Sequence, residues 1–288
     1  MKYLNFENIG SQIIQIKGGT GKFKNKMICV DANGKALHGF NELKLDGDAF
    51  FQLLPDDKKN RQINYISGQS GSGKTYWIKN YLQEYKKIYK SNLIYVFSPF
   101  DEDISFEGVS IKNIKIDEEL LEDNLTSKDF EDSMVVFEDV ESLSNKTLRK
   151  DVLRIMDDIL MTGRHYNVSA FVVFHEACNG HLTKKILNES HSITMFPTTL
   201  GTRSMKYLCD NYLGMSKEEI KRLKKLKSRA VTIIKSYPKV VLSQKEIYCL
   251  CDDSDSDESE SSDSEEEMII KKGKTIIRKK KDGKFNKI

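Results

Sequence analysis

The stretch Ile63-Asn64-Tyr65-Ile66-Ser67-Gly68-Gln69-Ser70-Gly71-Ser72-Gly73-Lys74-Thr75-Tyr76-Trp77-Ile78 decides the fold of this 288-residue chain. Its first five residues are an apolar, β-prone run, and from Tyr76 the pattern turns helical. Between them Gly68–Thr75 spells G-x-x-x-x-G-K-T, the phosphate-loop spacing in the strand–turn–helix context that gives it meaning. Gly68, Gly71 and Gly73 free the backbone for conformations closed to other residues, so that successive N–H groups, with Gln69, Ser70 and Ser72 between them, can turn inward on phosphate oxygens. A helix N-terminus adds unpaired N–H groups and the positive end of its dipole. In such a loop Lys74 reaches the β- and γ-phosphates and the Thr75 hydroxyl holds Mg²⁺. The stretch predicts binding of a nucleoside triphosphate.

Outward from this loop, the chain alternates strand and helix patterns, which predicts an α/β core with a mainly parallel sheet over residues 63–250. Expected elements are a helix at 74–89, strands at 92–97, 111–116, 134–137, 169–174 and 191–196, and a helix at 145–161. A capping-box spacing, Ser216 to Glu219, opens a basic helix at 216–226. Strands are expected at 229–236 and 239–243. Residues 1–62 read as a small β-rich leader, with a strand at 12–16 and a hairpin of 27–31 against 35–40 around Asn33-Gly34. Gly18-Gly19-Thr20-Gly21-Lys22 lacks the phosphate-loop spacing and reads as a turn.

Composition bounds the class. The chain carries 31% charged and 39% hydrophobic residues, and no apolar run approaches the ~20 residues that span a bilayer. The amino terminus lacks a signal peptide's apolar stretch, so secretion and a membrane partner are not expected. Five scattered cysteines, Cys29, Cys178, Cys209, Cys249 and Cys251, argue for a reducing compartment and against a disulfide framework. The net charge of +3 conceals two opposed blocks: residues 251–267 hold ten Asp/Glu and no Lys/Arg, and 268–288 hold nine Lys/Arg against Asp282. Residues 251–288 read as a disordered charged tail, since such composition buries too little apolar surface. Its serines, Ser254 to Ser264, sit among acids, a setting suited to phosphorylation. The remaining body is mildly basic, compatible with nucleic acid.

Three further places carry candidate chemistry. Met134–Phe137 is an apolar strand running into Glu138 and Asp139, which places carboxylates at the carboxyl edge of the sheet beside the phosphates. Two assignments stay open there: Glu138 on Mg²⁺ with Asp139 polarising water, or Asp139 on the metal with Glu141 nearby. His175, at the tip of strand 169–174, is placed to sense the γ-phosphate. With Cys178 and His181 it also makes an H-x-x-C-x-x-H spacing that lacks a fourth zinc ligand. Arg164 follows Gly163 in a polar turn, where a guanidinium can point at a neighbouring subunit's γ-phosphate, and Arg203 is a secondary candidate.

Taken together, Gly68–Thr75, Phe137-Glu138-Asp139, Gly163–Ser169 and His175 make the chain resemble the packaging ATPases of large DNA viruses, the poxvirus-type branch of the FtsK/HerA superfamily. The match spans roughly residues 60–245. Family members usually have Asp at the position of Glu138 and often Gln at that of His175. The resemblance implies a RecA-like (ASCE-type) P-loop NTPase that uses ATP and Mg²⁺ to drive double-stranded DNA into a capsid. It implies a homo-oligomeric ring, a capsid or portal partner, and action in host cytoplasm or the virion. Lys74 and Thr75 would then bind ATP·Mg²⁺, Glu138 and Asp139 complete the site, and Arg164 acts in trans. A P-loop kinase and an ATP-binding assembly factor without turnover are the competing readings.

Overall fold

The structure, a computed structural model, describes residues 1–21, 23–58, 60–100, 106–250, 266–271, 274–281 and 284–286, the last three stretches as backbone alone. It comprises two compact units: Met1–Asp56 with Lys225–Ile288, and Asp57–Lys224.

In chain order the leader supplies β1 (Leu4–Asn5), β2 (Ser11–Lys17), β3 (Met27–Val30), β4 (Glu42–Leu45) and β5 (Phe50–Leu53). The second unit runs β6 (Ile63–Ser67), α1 (Lys74–Ile88), β7 (Ile94–Ser98), β8 (Lys112–Lys115), β9 (Met134–Glu138), α2 (Lys146–Thr162), β10 (Ser169–Phe174), α3 (Gly180–Glu189), β11 (Ser192–Met195), α4 (Thr202–Asn211) and α5 (Lys217–Lys225). The chain then returns to the first unit through β12 (Val231–Ile234), β13 (Lys239–Ser243), β14 (Glu246–Leu250), β15 (Glu266–Lys271), β16 (Lys274–Lys281) and β17 (Lys284–Asn286).

In the first unit, β1-β3-β2-β5 form an antiparallel sheet. The Asn33-Gly34 turn forms, with Gly34 at φ +60°, but it does not close the expected hairpin. The Asp31 carboxylate accepts from the backbone N–H groups of Asn33 (3.0 Å), Lys35 and Ala36 (3.1 Å). Glu7 accepts from those of Leu37 (3.2 Å) and His38 (2.6 Å). Carboxylates thus consume the donors a second hairpin strand would offer, and β3 pairs with β1 and β2 instead. A second sheet joins β4-β14-β13-β12 antiparallel. The linear division at residues 62 and 250 therefore differs from the compact units. β4 presents an open edge, β14 satisfies it, and residues 231–250 fold with the leader rather than with the core. In the tail read as disordered, 251–265 lies outside the described residues, while β15 pairs with β4 and then β16 with β15 and β17 with β16.

The second unit is an α/β P-loop fold of the RecA-like kind. Its sheet order is β8-β7-β9-β10-β6-β11, and every adjacent pair is parallel. A sheet flanked by helices is buried on both faces, so its strands read as continuous apolar runs. Accordingly every residue of β6 and β10 is buried, as is Met134–Phe137 of β9. Asn145 caps α2 by accepting from Thr147 N–H (3.0 Å) and Leu148 N–H (3.3 Å). The helix buries Leu148, Val152, Ile155, Met156, Ile159 and Leu160. Each contributes roughly 1.5–3 kcal/mol against leaving it in water. At the far end of α2, Arg61 donates to the carbonyls of Leu160 (2.9 Å) and Val168 (2.8 Å) and to that of Ile159, which also takes the Gly163 N–H. The capping box of α5 forms: Ser216 N–H donates to Glu219 (2.7 Å) and Glu219 N–H to Ser216 Oγ (3.2 Å). The notably acidic run 117–124, which reads as helix-like from its sequence, forms a short 3-10 turn at Glu119–Leu121.

Candidate nucleotide site

Strand register assembles the site. Ser67, the last residue of β6, lies opposite Phe174, the last of β10, and Val173 lies opposite Glu138, the last of β9. The three strands therefore end level, and the segments just beyond their ends meet at one sheet edge. Those segments carry the glycine loop, His175 and Asp139. β10 stands between the loop strand and the carboxylate strand, an arrangement that periodicity along the chain cannot reveal.

The loop is built around backbone that only glycine supplies cheaply. Gly71 and Gly73 have φ of +72° and +106°. A Cβ on Gly68 would come within 2.7 Å of Ser72 Oγ and 2.8 Å of the Phe196 ring. Gly68 N–H donates to Phe174 C=O at 3.2 Å, tying the loop to the tip of β10. Gly73 is the N-cap of α1, and the first helical bond runs from Trp77 N–H to Gly73 C=O at 3.0 Å. By that geometry the N–H groups of Lys74, Thr75 and Tyr76 are left for an acceptor outside the helix. The Ser72 hydroxyl is buried in the loop with no hydrogen-bond partner. A concave set of donors with an orphaned buried hydroxyl fits an anionic phosphate chain.

Lys74 is 7% exposed and its ammonium turns back on the loop, donating to Gly68 C=O at 2.8 Å. It also lies 3.4 Å from His175 Nδ1 and 4.0 Å from Asp139 Oδ1. Asp139 Oδ2 is 3.2 Å from His175 Nε2. The imidazole thus faces a cation through Nδ1 and a carboxylate through Nε2, contacts that suit the neutral tautomer with its proton on Nε2. Asp139 sits just beyond the strand in the left-handed region, φ +46°, ψ +34°, which swings its side chain off the line of β9. Thr75 Oγ1 donates to Glu138 Oε1 at 3.2 Å.

His175 is fixed from two sides. Its backbone N–H donates to Glu141 Oε1 at 2.6 Å. The buried Tyr65 hydroxyl holds the chain beyond it, donating to Glu176 C=O (2.7 Å) and Ala177 C=O (3.3 Å). Burial raises the Glu141 carboxyl above its ordinary range, against the opposing pull of the His175 N–H. Burial likewise holds the Tyr65 phenol well above its usual value.

Two ion-binding arrangements can be compared. Asp139, Glu141 and His175 offer ligand atoms within 4.8 Å of one another, the one such group among the described residues. The Lys74 ammonium already sits against Asp139 and His175, so a further cation there meets like charge. The Thr75–Glu138 pair offers two oxygens beside the loop, a hard-oxygen set that fits Mg²⁺. The His175, Cys178, His181 spacing is not a metal group in the structure: His175 is engaged with Asp139, and burial pushes the Cys178 thiol up to about 11, away from the thiolate a metal needs.

Arg164 lies in a 3-10 turn, Gly163–Tyr166, that precedes β10, and its side chain is exposed. It is therefore at the opposite end of β10 from His175 and joins none of the groups above within its own chain. Arg203 is exposed on the first turn of α4.

No protein-family profile matches the chain. Uncharacterized protein V3 of Sputnik virophage is 35% identical over 241 residues, covering 83% of this chain and 95% of that protein. The chain belongs to the V3 family. Solved structures similar to this V3-family chain include the genome packaging NTPase B204 from Sulfolobus turreted icosahedral virus 2 in complex with AMPPCP, at 15% identity and TM-score 0.45, over 64% of this chain and 98% of that one. The pCW3 conjugation coupling protein TcpA has 11% identity and TM-score 0.39, over 85% and 79%. The cytoplasmic domain of the Thermomonospora curvata type VII secretion ATPase EccC has 14% identity and TM-score 0.45, over 74% and 29%. No helix of the described residues is long and apolar enough to cross a membrane.

Proposed function

We propose that this chain is an ATP-hydrolysing motor that moves double-stranded viral DNA into a capsid, working as a homo-oligomeric ring. The observation that carries the ATPase reading is the convergence of Lys74, Thr75, Glu138, Asp139 and His175 at the level ends of β6, β9 and β10. Gly68 through Gly73 would cradle the phosphates, with Lys74 leaving Gly68 C=O to meet the β- and γ-oxygens. Thr75 and Glu138 would hold Mg²⁺, which when bound neutralises charge developing on the β/γ oxygens. The additional methylene of Glu138 relative to Asp still leaves its carboxylate 3.2 Å from Thr75.

Asp139 is the group best placed to accept a proton from an attacking water, being partly exposed and hydrogen-bonded only through His175 on one oxygen. The His175 ring spans from Asp139 to Lys74 while its backbone N–H is held by Glu141, so a change at the γ-phosphate end would reach a side chain carried on a fixed backbone. Arg164, exposed and remote from its own loop, suits insertion into a neighbouring subunit's site. The DNA cargo, the ring and the capsid or portal partner follow from the resemblance of the motifs. The virophage relative and the mildly basic body agree with it.

Phosphate release from ATP, with and without double-stranded DNA, tests the reading. The wild-type chain should show Mg²⁺-dependent turnover that DNA stimulates, and Lys74→Ala and Arg164→Ala should each abolish it. Transfer to added nucleosides instead would select a kinase, and nucleotide binding without turnover would select an assembly factor.

A further inference from the structure

Tyr76 is a large aromatic side chain that is 73% exposed, one residue beyond Thr75. The helix it belongs to buries Lys74, Ile78, Tyr81, Leu82 and Tyr85, so position 76 lies on the solvent side of the first turn. Exposing a phenol ring there forgoes the stabilisation that burial would bring. Its setting suggests what covers it. The γ-phosphate end of the loop is marked by Lys74, Asp139 and His175 and by the Thr75–Glu138 pair. Of the three N–H groups that α1 leaves open, those of Lys74 and Thr75 belong to residues whose side chains serve that end. On the nucleotide-binding reading this leaves the third, the Tyr76 N–H, for the other end of the phosphate chain, the end that carries ribose and base.

We propose that Tyr76 is the nucleobase platform of this site: its ring takes the base by stacking, while its N–H faces the α-phosphate. This inference rests on the nucleotide-binding reading above. Stacking recognises a π-face and not an edge, so the platform accepts purine nucleoside triphosphates with little discrimination between adenine and guanine.

The chain's only tryptophan, Trp77, is adjacent, half-buried and stacked on Tyr81 at 6.1 Å, and it reports binding without a label. The experiment titrates the full-length chain with Mg·ATP, Mg·GTP and inorganic tripolyphosphate, following Trp77 fluorescence. Tyr76→Ala should weaken ATP and GTP alike, by at least about fivefold as base–aromatic stacking predicts. It should leave tripolyphosphate affinity unchanged, and Tyr76→Phe should restore both nucleotides. Equal losses for tripolyphosphate and nucleotide would mean that Tyr76 shapes the loop and not the base site. No loss for nucleotide, or a loss confined to ATP, also overturns the proposal. If wild-type chain binds neither nucleotide nor tripolyphosphate, the nucleotide reading itself falls. If it binds all three and Tyr76→Ala changes nothing, only the platform does.

Discussion

Thr75 and Glu138 meet at 3.2 Å, Oγ1 to Oε1, although they belong to strand–loop units that are not neighbours in the sheet. β10 runs between β6 and β9, and adjacent strands are roughly 4.8 Å apart, so the pair reaches across two strand spacings. The loop after β6 must lean over the tip of β10 for this to happen, and the Gly68–Phe174 backbone bond holds it there. Thr75→Ala and Glu138→Gln should each reduce Mg²⁺-dependent ATP hydrolysis on the order of 100-fold. Their unfolding midpoints should stay near wild type, since both side chains are partly exposed. Unchanged turnover in Glu138→Gln would move the metal to Asp139.

Asp139 carries a different expectation. Asn tolerates the left-handed backbone that Asp139 adopts and keeps the side chain's shape, while removing its charge. Asp139→Asn should therefore bind nucleotide with near-wild-type affinity and lose turnover by about 10²–10⁴-fold, the range for a missing general base. Single-turnover assays separate the two quantities. A loss confined to affinity would assign Asp139 to binding.

Arg164 makes a prediction about mixtures. Because it lies at the opposite end of β10 from His175, a subunit lacking it retains a complete loop. Arg164→Ala and Lys74→Ala should both be inactive alone, with a kcat loss of about 10³-fold for the arginine. Mixed together, they should recover part of the activity, because some interfaces then pair an intact loop with an intact arginine. Absence of recovery in assembled mixtures would rule out action in trans.

Arg61 is a stability prediction. Its guanidinium donates to three carbonyls at the end of α2 and at Val168, where a cation also meets the negative end of the helix dipole. Arg61→Ala should cost about 2–3 kcal/mol. Urea denaturation should show a lower midpoint with an unchanged slope.

Asp31 sets a pH dependence. Burial works to raise its carboxyl, but the N–H groups of Asn33, Lys35 and Ala36, helped by the Lys35 charge, outweigh burial and bring it below the ordinary value. A carboxylate depressed in the folded state stabilises above its unfolded pKa of about 3.9, and that contribution is lost as pH falls through the lower folded value. Asp31→Asn should be less stable at neutral pH and should lose less stability than wild type on acidification below about pH 4. Thermal unfolding at stepped pH measures both.

Local sequence made much of this legible. β10 and β13 occupy the residues expected of them, and α1, α2, β7, β9 and α5 differ by a residue or two at their ends. Their apolar runs or caps are long and unambiguous. α3 and α4 show no clear period in the sequence because each buries only three side chains, Thr183, Ile186 and Leu187 in one and Met205, Leu208 and Cys209 in the other. Arg61, which belongs to no periodic run, finds its acceptors about 100 residues away.

The sequence by itself determined that a turn with phosphate-loop spacing lies between a strand and a helix, that carboxylates end one buried strand, and that a histidine ends another. These are consequences of spacing within single elements. Which of them meet was decided by tertiary structure alone. Parallel strands impose no order on themselves through local pattern, because any buried apolar run can sit beside any other. Placing β10 between β6 and β9, with Ser67 level with Phe174 and Val173 with Glu138, is what brings Glu138 to Thr75 and Asp139 to His175. It also sends Arg164 to the far edge. The two carboxylates that the sequence left interchangeable meet different partners because Glu138 closes the strand while Asp139 turns off it in the left-handed region.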